Sequence, residues 1–147
     1  MSYLIDTNIL LRFLLQQDSN FAEIRRAVRL LRSRREKMYI TGQTIAEFWN
    51  VCTRPITARG GLGLSVSETK SRLELLERNF LILPDSPKVY GEWKSLVENY
   101  KVSGVQVHDA RLVATMNVFG IQNIITLNTK DFSRYQNILV IEPKNVQ

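Results

Sequence analysis

The sequence predicts an α/β protein, a single domain over residues 1–147 with a mostly parallel central sheet covered by helices on both faces. Short apolar runs alternate with longer stretches of helical periodicity, the pattern of βαβ units. No Asn-Gly or Asp-Gly turn joins neighbouring apolar runs, as tight antiparallel hairpins favour. The 147 residues, 44% hydrophobic and 23% charged, suffice for one core, and no repeat, low-complexity segment or composition break divides them.

Tyr3, Leu4 and Ile5 form a first strand that stops at Asp6-Thr7-Asn8, residue types that cap helices. Ile9, Leu10, Phe13 and Leu14 then recur at helical spacing. After Asp18-Ser19-Asn20 a second helix places Phe21, Ile24, Val28 and Leu31 on one face and Arg25, Arg29 and Arg32 on another. Met38 to Thr41 is an extended run. Ile45, Phe48, Trp49 and Cys52 mark an amphipathic helix that Pro55 ends. A loop with Gly60, Gly61 and Gly63 follows, and Ser65 with Glu68 forms a capping box for a helix with apolar side Leu73, Leu76 and Phe80. Phe80 to Leu83 is a strand. Asp85-Ser86-Pro87 starts a helix striped by Val89, Trp93, Leu96 and Val97. His108-Asp109 opens a helix through Leu112, Val113 and Met116, and Gly120 stops it. Ile124 to Leu127 is the clearest buried strand, and Ile138 to Ile141 is the last.

Composition excludes several classes. No window approaches the ~20 apolar residues of a membrane span, and the N-terminus lacks the segments of a signal peptide, so the expected location is cytoplasmic, away from membranes. With Cys52 as the one cysteine and His108 as the one histidine, an internal disulfide and a four-ligand Cys/His zinc site are excluded. Any metal must then use oxygen ligands. The net charge is +6, and the stretch from Asn20 to Lys37 carries +5 of it through seven basic residues against Glu23 and Glu36. Such a balance favours a polyanionic partner, although a solvated charged face explains the same helix.

In open parallel sheets ligands bind beyond the carboxyl ends of the strands, and acids recur at those places here. Asp6 follows the first strand, Glu47 lies on the helix after the second, Asp109 opens the helix before the Ile124 strand, and Asn128 and Asp131 follow that strand. Carboxylates a few ångströms apart repel by about 4 kcal/mol per pair at an effective dielectric of 20, and a divalent cation removes the conflict. Oxygen-only ligation suits Mg²⁺ or Mn²⁺, ions that activate water against a phosphodiester. Each residue also has a plainer reading: Asp6, Thr7, Asn8 and Asp109 as helix caps, and Asp131 as a turn residue. Glu47 falls opposite the Ile45, Phe48, Trp49, Cys52 stripe and by periodicity is an ordinary solvated glutamate. The glycine loop lacks the Gly-Lys-Ser/Thr of a phosphate-binding loop and reads as a flexible rim, flanked by Arg54 and Arg59.

Four segments together resemble the PIN-domain ribonuclease family, most closely its VapC-like toxin branch. They are Tyr-Leu-Ile-Asp-Thr-Asn-Ile-Leu-Leu at the start, Thr-Ile-Ala-Glu-Phe-Trp-Asn, His-Asp-Ala-Arg-Leu-Val-Ala, and Ile-Ile-Thr-Leu-Asn-Thr-Lys-Asp-Phe, in that order across nearly the whole chain. The resemblance implies a three-layer α/β/α domain and an endoribonuclease dependent on Mg²⁺ or Mn²⁺. Asp6, Glu47 and Asp109 match the family's metal-site acids, with Asp6 and Asp109 as metal ligands and Asp131 as a further acid. Thr7 and Asn8 match supporting polar positions. Asn128 stands where relatives often carry an acid, a departure that bears on a second ion. The resemblance also implies a homodimer restrained by a small antitoxin protein.

Arg25, Arg29, Arg32, Arg54 and Arg59 are candidate RNA contacts, and His108, next to Asp109, is a weaker candidate base. Two rival functions stay open: a PIN-like RNA-binding or regulatory module without activity, and a phosphotransfer domain with an Asp after its first strand. The second rival would need another Asp where Asn8 stands, or a lysine after a late strand, for which Lys130 is only a loose candidate.

Overall fold

In the computed structural model, which describes all 147 residues, the first apolar run is β1 (Ser2–Ile5) and stops where Asp6 caps α1 (Thr7–Phe13). The chain continues through α2 (Phe21–Ser33), β2 (Lys37–Ile40), α3 (Gly42–Thr53), α4 (Val66–Asn79) and β3 (Leu81–Ile82). It ends with α5 (Lys88–Asn99), α6 (Gln106–Phe119), β4 (Asn123–Ile125), α7 (Thr129–Phe132), β5 (Leu139–Ile141) and a 3₁₀ turn, Pro143–Asn145. All four strand pairings are parallel, in the order β3-β2-β1-β4-β5. No helix is long and apolar enough to cross a membrane.

β2 lies one residue earlier than its apolar run suggests, and β3, β4 and β5 are shorter than theirs, because groups at the strand ends take the backbone elsewhere. Thr41 leaves β2 to form a capping box with Thr44. Beyond Ile125 the Leu127 amide donates to Asn8 Oδ1 and the Asn128 amide to Thr126 Oγ1. Phe80 belongs to the end of α4, its amide still bonded to Leu76. Two helix starts also move: α5 begins after Pro87, and α6 begins at Gln106, so Asp109 lies inside its first turn instead of capping it. The Ser65–Glu68 capping box and the left-handed Gly120 stop stand as the sequence predicts. The single turn α7 occupies what reads in sequence as a plain Asn-Thr-Lys-Asp turn.

Strand alternation sorts the helices into two layers. Tyr3, Ile5, Met38, Ile40 and Ile125 face a core built with α1 to α4, around Phe13, Ile24, Phe48 and Leu76. Leu4 and Ile124 face the other way, into a core with α5 to α7 that holds Leu96, Leu112, Val113 and Phe132. The result is a three-layer α/β/α sandwich. Its edges are short, with β3 two residues long, and strand brevity limits edge-to-edge pairing.

These packings set expected stabilities. Phe48→Ala, emptying a fully buried site, should cost about 3–5 kcal/mol, and Ser65→Ala, which removes a cap, about 1 kcal/mol. Urea denaturation measures both; a Phe48 loss no greater than the Ser65 loss would mean that α3 is not seated on the sheet as described.

Candidate metal and phosphodiester site

The chain runs outward from β1 through β2 to β3, then returns to the other side of β1 to lay down β4 and β5. The strand order therefore switches between β1 and β4, and a crevice opens there beyond the strands' carboxyl ends. Asp6 sits at that point with 7% of its surface exposed. Three donors fix its carboxylate: the Thr7 amide to Oδ1 at 2.7 Å, and Asn8 Nδ2 and Thr126 Oγ1 to Oδ2 at 2.9 and 2.7 Å. Burial pushes the Asp6 carboxyl above its ordinary pKa, and the nearby Glu47 charge adds to this; the bonds from Thr126, Thr7 and Asn8 pull it back.

Glu47 is half-buried and held by two donors. Thr7 Oγ1 donates to Glu47 Oε2 at 2.7 Å and Gln43 Nε2 to Oε1 at 3.0 Å. The helical wheel misplaces Glu47 because the face of α3 opposite Phe48 and Cys52 looks across the crevice to α1 and α6. Gln43 ties those walls together, since its amide also donates to the His108 carbonyl at 2.8 Å. On α6, Asp109 has its pKa raised to about 7, first by burial and then by the charges of Asp131, Asp6 and Glu47, with Arg134 opposing. Asp6, Glu47, Asp109 and Asp131 thus occupy one electrostatic neighbourhood. They do not close into a cage: no group of three or more His, Cys, Asp or Glu side chains is placed to hold a metal ion alone.

The remaining predicted residues divide. Thr7 and Asn8 join the site through the bonds above. Asn128 lends only its backbone amide, and its exposed side chain makes no hydrogen bond to the acids. His108 is exposed and contributes its carbonyl to Gln43. The arginines lie elsewhere. α2 ends where β2 begins, at the amino edge of the sheet, and Arg32 bonds Asn79 just before β3. Arg25 donates to the Phe13 carbonyl and lies 4.0 Å from the Phe13 ring centroid and 5.1 Å from that of Phe21. Arg54 ends α3 with its Nε buried and unbonded, and Arg59 is exposed in the glycine loop.

Sequence reasoning missed Thr126, Gln43 and Arg134. Thr126 had a signal, a hydroxyl inside the otherwise apolar run Ile124 to Leu127. Gln43 had one as well, four residues before Glu47 on one helix face.

A family model for the PIN domain matches residues 3–138. No curated protein sequence matches significantly. Among solved structures, a chain of VapBC2 from Rickettsia felis, bound to a DNA fragment from its promoter, superposes with a TM-score of 0.72 at 17% identity, covering 97% of this chain and 98% of that one. VapBC-1 from nontypeable Haemophilus influenzae gives 0.71 at 16% identity, with coverage of 99% and 100%. VapC20 from Mycobacterium tuberculosis, a toxin that cleaves the sarcin–ricin loop, gives 0.64 at 16% identity, with coverage of 90% and 95%.

The crowded acids carry a pH signature. Asp109 has a folded pKa of about 7 against an ordinary 3.8, so between those values the folded chain binds more protons than the unfolded one. Stability attributable to this group therefore falls as pH rises from about 4 to 7 and is level on either side. Thermal unfolding in EDTA across pH 4–8 should show that decline in the wild type and a weaker one in Asp109→Asn. Parallel profiles for the two proteins would contradict the geometry.

Proposed function

This chain belongs to the PIN domain family, and from that premise we propose that it is an endoribonuclease dependent on Mg²⁺ or Mn²⁺, hydrolysing RNA phosphodiester bonds as the toxin of a toxin–antitoxin pair. Residues 1–147 act as one nuclease domain in this reading. The observation that carries it is the gathering of Asp6, Glu47, Asp109 and Asp131 around the switch point, where burial first and the neighbouring acid charges second raise the Asp109 pKa to about 7. An uncompensated acid cluster is costly, and its chemical use is to hold a hard cation. The cleavage activity named for the Mycobacterium tuberculosis relative supports RNA as the substrate.

The donor set suits such an ion. Every converging side chain offers oxygen, and Mg²⁺ is commonly held by one or two carboxylates with water completing its shell, so the lack of a three-ligand cage is compatible. Asp6 and Asp109 would hold it, with Glu47 and Asp131 completing the rim. When bound, the ion supplies charge neutralisation at the phosphate and acidifies water. The chain's own residues do the positioning. Thr126, Asn8 and the Thr7 amide lock the Asp6 carboxylate in one orientation, while Thr7 and Gln43 fix Glu47. In this reading water is the nucleophile and no covalent enzyme intermediate forms, while the two threonine hydroxyls orient carboxylates.

The VapBC complexes among the structural relatives support a small antitoxin partner and, with the family resemblance, a cytoplasmic homodimer. A cleft of about 460 Å³ lined by Phe13, Phe21, Arg25, Arg29 and Arg32 suits an antitoxin segment that is acidic and partly apolar. None of these arginines is in an ion pair.

The test is cleavage of tRNA, ribosomal and messenger RNAs in Mg²⁺, in Mn²⁺ and in EDTA. Asp6→Asn and Asp109→Asn should abolish cleavage with the circular dichroism spectrum retained, as should EDTA with wild type. Thr126→Val, which removes one of the three donors to Asp6 and the acceptor of the Asn8 side-chain amide and the Asn128 backbone amide, should lose about 10–100-fold. Full activity in either Asn variant defeats the assignment, and tight RNA binding without cleavage under any metal condition favours a regulatory RNA-binding module.

A further inference from the structure

At the same carboxyl edge of the sheet lies an aromatic surface that the acid chemistry leaves unused. β3 ends at Ile82, and the chain passes through 83–87 into α5, so the first turn of that helix stands on the edge where Asp6 stands. There Tyr90 is 68% exposed, and its ring centroid lies 6.3 Å from that of Trp93, with the planes inclined by 32°. Trp93 is anchored: its Nε1 donates to the Val107 carbonyl at 2.9 Å, and its ring packs partly against the α5–α6 core. The two rings line a cleft of about 420 Å³ with Ser86, Pro87, Val89 and Arg111.

Arg111 joins this cleft to the acidic rim. Its guanidinium donates to Gln43 Oε1 at 3.1 Å, and Gln43 in turn donates to Glu47 at 3.0 Å. Arg111 and Glu47 are also walls of one open cleft of about 660 Å³, shared with Asn50, Asp85 and His108. The arginine is exposed and in no ion pair.

We propose that the Tyr90–Trp93 cleft is a nucleobase subsite for single-stranded RNA. A base flanking the cleaved bond stacks on the two rings, and Arg111 takes the phosphate between that base and the acidic rim. This rests on the ribonuclease reading above. RNA is the occupant because a stacking platform beside one unpaired cation, continuous with a phosphodiester site, matches the alternation of base and phosphate along a single strand. Every base has a π face, so the subsite adds affinity and register without reading sequence.

The experiment is fluorescence anisotropy of a labelled ten-nucleotide single-stranded RNA in EDTA, with wild type, Tyr90→Ala, Tyr90→Phe and Arg111→Gln. A companion strand of the same length carries abasic nucleotides throughout. Tyr90→Ala should weaken binding about 5- to 100-fold at unchanged melting temperature, and Tyr90→Phe should bind as wild type. The abasic strand should bind wild type similarly more weakly than the intact strand and Tyr90→Ala no more weakly. Arg111→Gln should reduce the log–log salt slope by about 0.7. Equal RNA affinity of Tyr90→Ala and wild type overturns the proposal, as does a Tyr90→Ala that loses only self-association by light scattering. If wild type binds RNA and cuts it in Mg²⁺ while Tyr90→Ala matches it in both, the subsite alone fails. If wild type neither binds nor cuts RNA, the ribonuclease reading fails with it.

Discussion

The hydrogen bond from Thr126 Oγ1 to Asp6 Oδ2, 2.7 Å long and shut away from solvent, ties together the ends of β1 and β4 on the two sides of the topological switch. A carboxylate buried this deeply persists only where donors surround it. Here the donors come from two separate parts of the chain, so the site exists only once the sheet is assembled. Asn8 strengthens the tie in both directions: its amide nitrogen donates to Asp6, and its carbonyl oxygen accepts from the Leu127 backbone. The outer acids are then ranged around a fixed centre, Glu47 through Thr7 and Asp109 through the docking of α6.

That arrangement works against the fold that builds it. Burial and like charge raise the pKa of Asp109 to about 7, so near neutral pH the ionised form is disfavoured in the native state. The opposing stability comes from apolar layers on both faces of the sheet, where Phe13, Phe48, Leu112 and Phe132 are each at most 2% exposed. The division follows directly from strand alternation. Neighbouring residues of β1 feed opposite cores while the residue just past the strand feeds the site.

Much of this was legible in the sequence because it depends on short-range rules. Apolar alternation, the Ser65–Glu68 box, the Pro55 break and the Gly120 stop each act within a few residues, and their elements stand within a few positions of where periodicity puts them. The candidate acids were legible as positions following strands. Their partners were not. Periodicity places Glu47 opposite the apolar stripe and so assigns it to solvent, since a single helix cannot report that its polar face looks onto another helix. Gln43, bonded at once to Glu47 and the His108 carbonyl, and Thr126, bonded 120 residues back to Asp6, owe their roles to tertiary closure. Asn128 sits in the same segment, but its exposed side chain makes no hydrogen bond to the acids.

Charge is segregated by height along the sheet, and this shapes how a polyanion would meet the molecule. The arginines of α2 stand toward the amino edge, whereas the carboxyl edge is acidic at its centre, so long-range attraction and local repulsion act at opposite ends of one domain. With a Debye length near 8 Å at physiological ionic strength, the distant arginines cannot offset repulsion at the rim. Compensation has to be local. Arg134 opposes the charge around Asp109, and Arg111 is linked through Gln43 to Glu47. A phosphate approaching the crevice therefore meets cations at its flanks and like charge at its centre, a repulsion that the proposed divalent ion would relieve. A chain of overall charge +6 thus carries an acidic cluster at the carboxyl edge of its sheet, flanked by the cations that face it.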